Sequence, residues 1–116
     1  MPLLTNSNEY HNNQNMEQTE RIRQMELQLD RASQAVMELS AAIEKYAGAQ
    51  EAIQALRDYY ASNEWRQDFA DDEAGRLPRD LKRGVLSEDG IWNMLSDSRE
   101  LNIRMLETAT EALKRG

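Results

Sequence analysis

The chain has 116 residues, 40% of them hydrophobic and 30% charged, with a formal net charge of −7. That length supports one domain and is too short for two independent cores. The acidic balance disfavours a nonspecific nucleic-acid or anionic-membrane binder, because both partners are repelled over most of the surface. The absence of cysteine excludes disulfides, thiolate catalysis and the commonest zinc sites, and fits a reducing compartment. Leu, Ile, Met and Ala supply most of the apolar side chains, a composition that favours helix over sheet.

Residues Met1 to Asn15 contain five asparagines, one histidine (His11) and no apolar periodicity. They read as a disordered leader before a single helical domain over residues 16–116. No basic region followed by an apolar core marks an export signal, and no apolar run is long enough to span a bilayer, so the cytoplasm is the expected location. Asn15 with Gln18 has capping-box spacing and Thr19 is a competing N-cap, so the first helix is expected to start at one of them.

From Ile22 to Tyr46 an apolar residue recurs at alternating steps of three and four: Ile22, Met25, Leu29, Ala32, Val36, Leu39, Ile43 and Tyr46. This puts one seam along about 37 Å of a helix face. Such a seam calls for cover, and the downstream segments are read as its partners. Around it Glu20, Glu26, Asp30, Glu38 and Glu44 alternate with Arg21, Arg23, Arg31 and Lys45, a solvated face. Gly48 favours a turn between Tyr46 and Ala49, although the apolar series resumes nearly in phase at Ala49, Ile53, Leu56 and Tyr60, so one continuous helix is the alternative.

Ser62 is placed to cap a short helix over Asn63 to Ala70, with Trp65 and Phe69 four apart on one face. Gly75 and Pro78 then bracket a tight connection, and Pro78 suits the first turn of a further short helix, Arg79 to Arg83, closed by Gly84. Ser87, followed by Glu88 and Asp89, is the clearest N-cap. It is expected to open a last long helix to Lys114, whose apolar stripe is wide enough to touch two neighbours. The expected fold class is all-α, a small antiparallel helical bundle with two long helices and two to three shorter ones.

Three clusters carry what chemistry there is. Asp68, Asp71, Asp72 and Glu73 share helical spacing that suits a hard cation or a shared proton, and they are weak metal candidates; a solvated acidic face is the commoner outcome of such a run. Arg76, Arg79, Lys82 and Arg83 suit a partner's phosphate or carboxylate, or pair with the carboxylates before them. Tyr59, Tyr60, Trp65, Phe69 and Trp92 suit a pocket, an interface or the wide part of a helical core. Tyr59 and Tyr60 are adjacent and cannot face the same way, which marks Tyr59 as the candidate exposed contact. Together Tyr59, Trp65, Asp72, Glu73, Arg76, Arg79, Lys82 and Arg83 form the candidate interaction surface. No nucleophile elbow, Gly-rich phosphate loop or usable histidine is present, so no catalytic residue and no cofactor are assigned.

The stretches RIRQMELQLDRAS, YYASNEW and DFADDEAGRLPRDLKRGVLSEDGIWNML resemble a family of small uncharacterised bacterial proteins, a domain of unknown function, over about Thr19 to Met105. The residues that carry it are Tyr59, Tyr60, Trp65, Asp68, Asp72, Glu73, Gly75, Leu77, Pro78, Asp80, Leu81, Lys82, Gly84, Leu86, Ser87, Glu88 and Asp89. Gly90 departs from the better helix former expected in the first turn of the last helix, and Ala61 stands where glycine is usual. The resemblance implies an all-helical fold and says nothing about activity.

Three functions fit these readings: a noncatalytic interaction or regulatory module, binding a protein or a second copy of itself; a carboxylate-based metal-binding protein or enzyme; and a small acidic inhibitor, of phage or mobile-element type, of a nucleic-acid-binding target. A single stoichiometric partner supports the first or third, and bound metal the second.

Overall fold

A computed structural model describes the backbone of residues 2–116 and the side chains of residues 15–116. Four α-helices follow in order: α1, Pro2–Gly48; α2, Gln50–Tyr60; α3, Asn63–Glu73; and α4, Gly90–Arg115, with a one-turn 3₁₀ helix at Gly84–Leu86. Two are long, two are short, and no strand occurs among the described residues, as the all-α expectation requires. The leader expected over residues 1–15 falls, up to residue 14, outside the described side chains, as does His11. Asn15 and Thr19 lie inside α1 and start no helix.

The chain divides into two units, residues 1–47 and 48–116. The first is α1 alone. Its seam does not have the cover that its periodicity demands: Ile22, Met25, Leu29, Val36, Leu39 and Ile43 retain between 49% and 68% of their surface. The break favoured near Gly48 is present. α1 ends at Gly48, Ala49 keeps α-region dihedrals (φ −88, ψ −4), and α2 begins at Gln50.

The second unit holds the core. Ile53 of α2, Leu86 of the 3₁₀ turn and Ile91 of α4 are its buried apolar side chains, with Ser98 buried two turns after Ile91 on the same face of α4. The wide stripe of α4 does touch two neighbours, α2 and the 3₁₀ turn. Contact is confined to its first half, since Leu101, Ile103, Met105, Leu106 and Leu113 are exposed.

Ser62 caps α3 as its position predicts. Its hydroxyl accepts the Trp65 amide at 3.1 Å and donates to the Tyr59 carbonyl at 2.5 Å, so one side chain closes α2 and opens α3. α3 ends in a Schellman motif: Gly75, at φ 72, donates to Asp72 O, and Arg76 N donates to Asp71 O at 2.9 Å. Glycine is needed here because a Cβ strains the left-handed backbone.

Arg79 to Arg83 is not the helix that Pro78 suggested. Only a single turn forms there, with Leu81 N on Pro78 O at 3.3 Å, and the helical turn comes later, at Gly84–Leu86. Leu86 is buried, whereas Leu81, the apolar side chain of Arg79 to Arg83, stays exposed, so burial selects the later turn. α4 likewise starts at Gly90, after the Ser87-Glu88-Asp89 signal, with Asp89 as its N-cap. Ser87 still supports the entry: its hydroxyl accepts Gly90 N at 3.1 Å and donates to Gly84 O at 2.8 Å. A Cβ on Gly90 would lie 2.5 Å from the Gly84 carbonyl oxygen and collide with the Ser87 hydroxyl. Close approach of two backbones therefore explains the departure from a better helix former at this position.

Candidate functional site

The candidate residues gather where α2, α3 and the 3₁₀ turn meet. Trp65 is the hinge of this corner. Its ring stacks on Phe69 at 5.2 Å between centroids and meets Tyr60 edge-on at 4.9 Å. Its indole N–H donates to the Val85 carbonyl at 2.9 Å, which ties α3 to the 3₁₀ turn twenty residues later. A half-buried tryptophan with its polar end satisfied and its faces occupied is a packing element. It is not presented as a free anchor.

Tyr59 is not the exposed contact that adjacency to Tyr60 suggested. It is half-buried, and its hydroxyl donates to Asp68 at 2.6 Å. That hydrogen bond, then desolvation and the neighbouring carboxylate charges, pushes the phenol up to about 12 from its ordinary 10.0. Tyr60 turns instead to Trp65.

The acidic run is divided among separate partners. Asp68 accepts from Tyr59, Asp71 from Arg76 at 2.8 Å and Gln67 at 3.1 Å, and Asp72 from Arg83 at 2.8 Å. The Arg76 bond, followed by that of Gln67, holds the Asp71 carboxyl below its ordinary value. Glu73 is exposed at the end of α3. Among the described residues, no group of three or more His, Cys, Asp or Glu is arranged to hold a metal ion.

The basic run divides in the same way. Arg76 binds within the α3 cap, and Arg83 reaches back to α3 through a pair whose side chains are 37% and 21% exposed. Asp72 is thus paired with Arg83, eleven residues on, a partner that sequence spacing did not single out. Arg79 and Lys82 are exposed, with no ion pair among the described residues; Lys82 borders a shallow apolar recess with Leu56, Val85, Ile91 and Met94. Of the eight candidate surface residues, Tyr59, Trp65, Asp72, Arg76 and Arg83 are spent on internal contacts, and Glu73, Arg79 and Lys82 are left facing solvent. The exposed α1 seam, which sequence reasoning assigned to the core, is the larger uncommitted surface.

These features define a small all-α domain in which an aromatic and ion-paired corner holds short helices against the start of a long one. No helix among the described residues is long and apolar enough to cross a membrane. The chain belongs to the family described as "Domain of unknown function (DUF4298)", which matches residues 22–108. No curated protein and no solved structure matches it. The motifs that carry the family resemblance contain the residues that build the corner: Tyr59 on Asp68, Trp65 on Val85, Asp72 on Arg83, Gly75 in its left-handed cap and Ser87 under Gly90.

Proposed function

We propose that the domain is a noncatalytic protein-interaction module whose contact surface is the apolar seam of α1. The observation that carries this reading is the exposure of Ile22, Met25, Leu29, Val36, Leu39 and Ile43 in one line along the helix. A line of large aliphatic side chains in water costs about 25 cal/mol per Å², and association recovers that cost. The corner residues support the reading from the other side, because their polar atoms are already engaged with one another and offer no constellation for chemistry. The cysteine-free composition is consistent with a cytoplasmic site of action.

The test pairs thermal unfolding with association for Leu29→Glu and Leu39→Glu in the full chain. The expected result is loss of the complexes formed by the unaltered chain, with the unfolding midpoint read from the fluorescence of Trp65 and Trp92, in residues 48–116, unchanged. A marked fall in the midpoint of an isolated, monomeric protein would make the seam a core face and end the proposal.

A further inference from the structure

Resting on that reading, we infer that the occupant of the α1 seam is a second copy of this chain, packed parallel and in register as a two-stranded coiled coil over Ile22 to Ile43. The seam follows a heptad, with Ile22, Leu29, Val36 and Ile43 at its first core position and Met25, Ala32 and Leu39 at its second. β-Branched residues at the first position with leucine at the second favour two parallel strands, because their side chains fit the holes of a dimer better than those of larger bundles. Three of the four first-position residues are β-branched, and leucine holds one of the three second positions, at Leu39.

The flanking positions specify direction. Gln28, Ser33, Ala35, Ser40 and Ala42 border the seam with small or uncharged side chains and raise no repulsion against a copy. The charged flanking residues are Arg21 and Glu26, five apart, which is the spacing at which one helix meets the next in a parallel register. Each therefore faces its opposite charge on the partner, twice by symmetry. Among the described residues neither is engaged in an ion pair or side-chain hydrogen bond within its own chain. In an antiparallel pair Arg21 would border the Gln28, Ala35 and Ala42 side of the other helix and gain nothing.

The area is sufficient. A seam of this length with its flanks buries on the order of 700 Å² per chain, close to the roughly 800 Å² per partner of a standard stable interface. Packing also supplies what α1 lacks as a lone helix, since helical stability in proteins comes mainly from a covered amphipathic face.

The chain has no cysteine, so single thiols report register without interference. Light scattering of the full chain over a concentration series is expected to show a monomer–dimer equilibrium. Met25→Cys and Leu39→Cys, oxidised separately, are each expected to form a disulfide dimer with their own copies. Glu26→Arg is expected to raise the dimer dissociation constant roughly tenfold, and adding Arg21→Glu to restore it. A dimer in which Met25→Cys does not crosslink to itself overturns the parallel register. A monomer at every concentration overturns self-association, and alkylation of Met25→Cys then separates the two readings. Rapid labelling of that monomer leaves the seam open for a different partner, so the interaction module stands. Protection of the thiol means that its own chain covers the seam, and the interaction module falls as well.

Discussion

The Tyr59 hydroxyl donates a 2.6 Å hydrogen bond to the Asp68 carboxylate and so links the last turn of α2 to the middle of α3 across the Ser62 corner. The bond favours the protonated phenol, which stands at about 12 in the folded chain against 10.0 when unperturbed. Between those two values the unfolded chain has released a proton that the folded chain still holds, so stability falls as pH rises. Below pH 10 the contribution is complete. A spectrophotometric titration should show one late-titrating tyrosine that disappears in Tyr59→Phe. That variant should lose about 1 kcal/mol at neutral pH and show a weaker loss of stability across the alkaline window; an unchanged alkaline profile would show that the bond does not persist in solution.

Gly90→Ala separates propensity from packing. Alanine is the better helix former by about 1 kcal/mol, yet its Cβ would lie 2.5 Å from the Gly84 carbonyl oxygen. Backbone has to move to accept it, so a net destabilisation of about 1–3 kcal/mol is expected from urea unfolding. A gain in stability would mean that the Gly84–Gly90 approach is looser than described.

Asp72 and Arg79 give opposite expectations within the same charged belt. Asp72→Asn weakens the half-buried pair with Arg83 that ties α3 to the segment entering α4, and should cost about 0.5–1 kcal/mol. Arg79→Ala removes an exposed side chain with no ion pair among the described residues, and its urea midpoint should stay where it was. Equal losses in both variants would assign Arg79 a partner in solution.

Ser62→Ala removes the hydroxyl that accepts the Trp65 amide and donates to Tyr59 O. The cost should be about 1 kcal/mol, because the Trp65 amide loses its acceptor while the Tyr59 carbonyl keeps the Ser62 amide. Tryptophan fluorescence should report the change at Trp65 ahead of global unfolding if the corner loosens first.

By itself the sequence determined the helical character of the chain and most of its punctuation. Composition, the three-and-four periodicity and the local signals at Ser62 and Gly75 act over one or two helical turns, so they survive in the folded chain. Family membership was legible for a related reason, since its motifs are the residues that make the corner. What only tertiary structure decided depends on groups distant in sequence. Asp72 chose Arg83 over the nearer Arg79, Trp65 reached Val85 O, and Gly90 had to remain bare because Gly84 passes close to it. The same limit explains the seam of α1. Periodicity states that Ile22 to Ile43 is apolar along one face, but not what covers it. Burial depends on groups distant in sequence, as at Ile53, Leu86 and Ile91, which three separate elements of the second unit bring into one core.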